Sequence, residues 1–244
     1  SSYLVNSSAH LLALGVPVLR LNLRGAGPSR ESCRWQYHAG RSEDLRDALA
    51  ALPAAWAGRD LVLVGYSLGG NMLLKFLAEH GTAFPIRRAV SVSAPIDLGA
   101  ASERFLDARN LVYHKRLLFS MKKESLGEGA NLTEAERQAI GQVRTILEFD
   151  ERFVAPRNGF ADAAAYYEAC SAIGFLMEIR VPTLVIHALD DPWIPGTTYE
   201  RVDWASNPAL HPLLPEGGGH VGFHGEGSRI PWHDRCVEHW IAQG

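Results

Sequence analysis

Ser67 stands in Gly65-Tyr66-Ser67-Leu68-Gly69, a G-x-S-x-G run with the apolar Leu61-Val62-Leu63-Val64 before it and a helix-forming segment after it. In that context the pattern puts a serine at the tip of a sharp strand-to-helix turn, with glycines two residues to either side so that neighbouring backbone can approach without a Cβ clash. The hydroxyl is then expected at the carboxyl edge of a sheet. The backbone N–H of Leu68, opening the helix, is the expected donor to negative charge on a tetrahedral intermediate. A Gly-rich strand-to-helix turn also occurs in nucleotide-binding folds, so the downstream residues decide between the two. A serine hydroxyl becomes a nucleophile only when a base takes its proton and an acid orients the base, which calls for an Asp or Glu and then a His further along the chain.

Both are present in that order. His187-Ala188-Leu189-Asp190-Asp191-Pro192 places two carboxylates just beyond an apolar run, and Gly217-Gly218-Gly219-His220-Val221-Gly222 places a histidine on a Gly-rich loop. His220 is the expected base. His224 is its rival, and His187, at the end of a strand, reads as a packed residue. The expected acid is Asp191 or Asp190, either of which also fits a simple turn before Pro192.

These residues need elements to position them. Ser1 to Leu14 reads as a helix already under way. Val16-Pro17-Val18-Leu19-Arg20-Leu21-Asn22-Leu23 reads as a first strand, Leu61–Gly65 as a second, Ala89–Ser93 as a third, Thr183–His187 as a fourth and Leu210–Leu214 as a last short one. Helical spacing recurs over Arg41–Trp56, from the elbow through Glu79 to a stop at Gly81, and over Pro231–Ala242 with Pro at the first turn. Strands that are apolar throughout and alternate with helices predict a parallel sheet covered on both faces. The whole chain reads as one domain. The helical, charge-rich stretch from about Asp97 to Arg180 is longer than an ordinary crossover and reads as a cap insertion.

Composition narrows the function classes. With 244 residues, 47% of them apolar, the chain can bury a sizeable core, and a net charge of -3 lacks the basic signature of a nucleic-acid binder. Three cysteines without CxxC spacing give neither a disulfide framework nor a zinc site, and the histidines show no HExxH pattern. No cofactor or metal is therefore expected. The chain carries no signal-peptide pattern, and a cytoplasmic location is the expectation.

The motifs together resemble a family: the YheT-like branch of the α/β-hydrolases, a group of esterases and monoacylglycerol-type hydrolases that includes mammalian abhydrolase-domain lipases. The resemblance rests on Leu21-Asn22-Leu23-Arg24-Gly25 with Gly27-Pro28-Ser29, on Tyr37-His38-Ala39-Gly40-Arg41 with Asp44-Leu45, and on Gly65 to Asn71. It continues in Ala155-Pro156, Gly159-Phe160-Ala161-Asp162, Tyr166-Tyr167, His187 to Pro192 and Gly218 to Phe223. It implies an α/β-hydrolase fold and a Ser67, Asp191, His220 triad, the family's habit of an acid followed four residues later by Pro favouring Asp191 over Asp190. Members of the family carry early strands and a His-Gly loop that supplies a second oxyanion donor. This sequence begins beyond that loop, so the first strands are expected to be missing and a sheet edge exposed.

The resemblance implies a serine carboxylesterase acting on short- to medium-chain or monoacylglycerol-like esters. An acyltransferase and a non-catalytic binding protein on the same scaffold are the alternatives. In the insertion, Arg104, Arg109, Lys115, Arg116, Lys122 and Lys123 are interleaved with Phe105, Leu106, Leu111, Leu117, Leu118 and Phe119. Such a stretch either covers the site as a solvated helix or makes transient contact with a membrane surface. Phe149, Phe153, Phe160, Tyr166 and Trp193 are candidates for an apolar pocket or for core.

Overall fold

The computed structural model describes residues 2–30, 33, 35–56, 59–225 and 227–243. Four strands, β1 (Leu61–Tyr66), β2 (Ile86–Val92), β3 (Thr183–Ile186) and β4 (Leu210–Leu213), form one sheet in the order β1-β2-β3-β4, every pair parallel. The helices are α1 (Ser2–Ala13), α2 (Ser42–Ala50), α3 (Leu68–His80), α4 (Leu98–Arg104), α5 (Leu111–Ser125), α6 (Glu134–Gln142) and the short α7 (Ile146–Phe149). They continue with α8 (Ala155–Arg157), α9 (Ala163–Cys170), α10 (Thr197–Glu200) and α11 (Trp232–Ala242). The stretch between β2 and β3 contains helices and no strand among the described residues, as its spacing predicts.

Alternation along the strands assigns the two faces of the sheet. Ala89 and Val185 pack with Leu73, Leu74, Phe76 and Leu77 of α3, whereas Val90, Val92, Leu184 and Ile186 pack with Val237 of α11 and with Tyr3 and Leu11 of α1. Both faces are thus covered, which is why apolar residues at successive positions of β2 and β3 are buried on opposite faces. Parallel pairing also brings the carboxyl ends of β1, β2 and β3 to one edge, with Tyr66 beside Val92 and Val92 beside Ile186.

One expected strand is absent. Val16–Leu23 carries no regular secondary structure and joins no ladder, and Leu19 and Leu21 are 53% and 46% exposed. Apolar alternation makes a strand only when a neighbouring backbone meets its N–H and C=O groups. Here the nearest edge, β1, pairs with β2 alone among the described residues, and a cavity is lined by Val16–Leu23 as well as by Leu61–Tyr66. Two helix ends also shift: α2 stops at Ala50, short of the predicted Trp56, and Pro231 caps α11 from outside its first turn.

Asn71 of α3 is fully buried and ties two segments to this scaffold. Its Nδ2 donates to Ala39 O (3.1 Å) and Cys170 O (2.8 Å), and its Oδ1 accepts from Ala172 N (2.9 Å). His187, just after β3, is also fully buried, its ring stacked 3.9 Å from that of Tyr199 at 4°. It is a packed residue, as its place at the strand end predicts. Burial lowers its pKa from 6.5 to about 4, so its ring is neutral at neutral pH and its 3.9 Å approach to Asp191 is not an ion pair.

Replacing Asn71 by Ala strands two buried carbonyls and an N–H, and is expected to destabilise the protein by about 3 kcal/mol, read as a lower urea midpoint. For His187 the folded state binds fewer protons than the unfolded chain between about pH 4 and 6.5, so this residue's contribution to stability is lost as pH falls through that window. His187→Phe keeps the stack and cannot protonate. Between pH 7 and 4.5, urea unfolding should shift in the variant's favour by about 2 kcal/mol relative to the unmutated protein.

Candidate active site

The turn that carries Ser67 is built from three close approaches. Ser67 has φ 51° and ψ −126°, a conformation that L side chains rarely adopt, and its N–H donates to Val92 O at 2.8 Å, prolonging the β1–β2 ladder by one residue. A Cβ at Gly65 would lie 2.5 Å from Gly69 O, and one at Gly70 2.8 Å from Ser91 Oγ and 2.9 Å from Ala94 Cβ. Gly65 and Gly70 are therefore required. Gly69 is not: the space around its missing side chain is open, contrary to the symmetric role the motif suggests for it. As the first residue of α3, Leu68 has no carbonyl one turn back in the helix to receive its N–H.

The sequence-predicted residues meet at the carboxyl edge of the sheet. His220 Nε2 lies 2.9 Å from Ser67 Oγ, and His220 Nδ1 lies 2.8 Å from Asp191 Oδ2. Asp191 is 1% exposed and acceptor-only when ionised, so Nδ1–H donates to it and Nε2 is left to accept the serine proton. The other oxygen of Asp191 accepts from the backbone N–H groups of Trp193 (2.8 Å) and Ile194 (3.1 Å). Asp190 has a different task. Its Oδ1 accepts from Gly218 N (3.0 Å) and Gly219 N (2.9 Å), pinning the loop on which His220 rides, with Gly219 at φ 64°. His224 is exposed and makes no hydrogen bond to Ser67.

Sequence reasoning missed several supports. Ser93 follows β2 as Ser67 follows β1; it too has positive φ, and its hydroxyl donates to the carbonyl of His220. That equivalence of position was the available signal. The Trp193 ring lies 4.5 Å from the His220 ring and also contacts Phe105 and Tyr113 of the insertion. Asn110 Nδ2 donates to Pro192 O at 2.7 Å, a second tie between the insertion and the acid loop. Behind the elbow, Tyr66 OH donates to Asp234 Oδ1 at 3.2 Å and meets Ser7 Oγ at 2.8 Å, joining β1 to α11 and α1.

Ser67, Leu68 and His220 line a cavity of about 1760 Å³ whose walls are mainly apolar and include Phe149, Tyr166 and Trp193. Phe153 and Phe160 belong to packed clusters instead. Chemically, the arrangement can move a proton from the serine hydroxyl to the imidazole while the buried carboxylate steadies the resulting cation.

The model of the alpha/beta hydrolase family matches residues 2–229. The YheT protein of Escherichia coli (strain K12) is 34% identical over 91% of this chain and 66% of its own length. The monoacylglycerol lipase of Saccharomyces cerevisiae is 27% identical over 91% of this chain and 49% of its own. The medium-chain fatty acid ethyl ester synthase/esterase 2 of the same yeast is 29% identical over 84% and 51%. The chain thus spans between about half and two thirds of the length of these relatives. Among solved structures, the Pyrococcus furiosus esterase Pf2001 superposes with a TM-score of 0.59 at 16% identity, covering 98% of this chain and 72% of that one. Est1E from Butyrivibrio proteoclasticus gives 0.57 at 13% identity over 99% and 82%; at such identities the likeness speaks for the fold. The chain belongs to the alpha/beta hydrolase family, and within it to the YheT-like branch.

Proposed function

We propose that this protein is a serine hydrolase that cleaves carboxylic esters, of short- to medium-chain or monoacylglycerol-like type, through an acyl-enzyme on Ser67. The observation that carries the reading is the unbroken hydrogen-bonded chain from Ser67 through His220 to Asp191, facing a large apolar cavity. Ser67 attacks the ester carbonyl while His220 takes its proton. The Leu68 N–H meets the developing oxyanion, and His220 returns the proton to the leaving alkoxide. Water then repeats the cycle on the acyl-enzyme. The names of the yeast lipase and esterase point the same way. Against a mere binding protein stands the strained backbone at Ser67, a costly conformation that a passive pocket does not need.

Acyl transfer to an alcohol is a second reading, favoured by the synthase/esterase relative; it differs only in the nucleophile that reaches the acyl-enzyme. A lipid surface is the proposed source of substrate. No helix among the described residues is long and apolar enough to cross a membrane, but α5 turns Val112 (78% exposed) and Phe119 (67%) outward beside Lys115, Arg116 and Lys123. The same helix borders the cavity through Arg116, Leu117 and Met121.

A fluorophosphonate probe should label the protein, and Ser67→Ala should abolish labelling and lower turnover of p-nitrophenyl octanoate by about 10⁴-fold or more. Undiminished labelling of the variant would sink the reading. Product analysis with added ethanol separates the two chemistries: ester exchange outpacing hydrolysis identifies a transferase. A Val112→Asp, Phe119→Asp double variant is expected to lose sedimentation with phosphatidylglycerol vesicles while keeping its activity on the soluble ester.

A further inference from the structure

Three aspartates are buried among the described residues, and two of them are well provided with donors. Asp191 accepts from His220, Trp193 and Ile194; Asp234 accepts from Ser7 and Tyr66, with His233 Nε2 3.3 Å away. Asp150, 8% exposed at the start of a π-turn over Asp150–Val154, has one hydrogen bond, from Tyr167 OH to Oδ2 at 2.7 Å. Among the described residues Oδ1 accepts no hydrogen bond and no cation pairs with the group. Burial pushes its pKa up to about 7, opposed only by the Tyr167 bond. A mostly buried carboxyl costs stability unless its oxygens meet donors, and the second oxygen of Asp150 is not sealed in the protein but opens on a cavity.

A partner for that oxygen has a place to sit. Asp150, Tyr167 and Ser102 all line the cavity that contains Ser67, and Leu68 packs against the cluster to which Tyr167 belongs. Tyr167 OH is also 3.1 Å from Ser102 Oγ. Because the tyrosine proton goes to the nearer carboxylate, the Ser102 hydroxyl donates to the tyrosine oxygen, and the relay aligns the carboxyl with one oxygen left over. An alcohol matches that oxygen in either protonation state, donating to the carboxylate or accepting from the acid. A bare cation would have to shed its water in an apolar wall against a single, partly neutral carboxyl.

We propose that Asp150, held by Tyr167 and Ser102, is a hydroxyl-binding subsite that selects esters carrying a free hydroxyl over plain alkyl esters. The subsite rests on the ester-hydrolase reading above and names a feature of its substrate. A wall group that needs a hydroxyl discriminates strongly against an analogue without one, because its own hydrogen bond is then unmade.

The test is steady-state kinetics of the full-length protein on two pairs of esters: 1-glyceryl octanoate against propyl octanoate, and ethyl hydroxyoctanoate against ethyl octanoate. In at least one pair the hydroxyl-bearing ester should be preferred. There, Asp150→Leu and Tyr167→Phe should each lower its kcat/KM by about tenfold, chiefly through KM, while its plain partner changes by less than about twofold. Equal losses on both members of each pair would show a structural role, and no loss on any ester would show no subsite; either overturns the proposal. An unmutated protein that turns over none of the four esters would instead overturn the ester-hydrolase reading itself.

Discussion

The arrangement depends on one hydrogen bond, from Ser67 N–H to Val92 O, made by a residue whose φ is positive. It holds the backbone in register with the sheet for one residue more while α3 has already begun, so the side chain has nowhere to go but out over the carboxyl edge. Such a conformation costs on the order of 1–3 kcal/mol and survives only where its surroundings over-determine it. Gly65 and Gly70 supply that constraint through close approach, and Asn71 through three hydrogen bonds to distant backbone.

Around that fixed hydroxyl, the partners arrive on loops, and each loop is restrained by a group outside the proton path. Asp190 folds the glycine loop, Ser93 holds the carbonyl of His220, and Trp193 covers the imidazole while touching two aromatic residues of the insertion. The segment between β2 and β3 is therefore part of the site's construction, an inference reinforced by the Asn110 to Pro192 bond. Glycine-rich backbone gains precision here because side chains from two other segments, the acid loop and the end of β2, limit its freedom.

Environment gives one residue type several roles. Asp191 is buried and meets three donors; Asp190, its chain neighbour, is exposed and shapes a turn; Asp150 is buried with one donor and its pKa lies well above the ordinary carboxylate range. The same holds for histidine: His187 is neutral and stacked, while His220 bridges serine and carboxylate. Identity supplies the chemistry available to a position, and the surrounding donors and dielectric choose among its forms.

The amino-acid sequence by itself determined what is local. The elbow, the strands at β1 to β4, the helices between β2 and β3 and the pairing of a late Asp with a late His follow from periodicity, glycine placement and chain order, because these act over one or two turns of backbone. It left Asp190 and Asp191 open until the family resemblance was added, since adjacent carboxylates differ only in where their loop points. It also read Val16–Leu23 as a strand, an error of the same origin: apolar alternation is a property of the segment, whereas a ladder belongs to two segments at once. Tertiary structure alone decided that Asp190 grips the glycine loop, that Ser93 braces His220, and that Asp150 faces the cavity with a spare oxygen. Each is a contact between residues far apart in the chain, and only the closing of loops over the sheet brings them within hydrogen-bond reach.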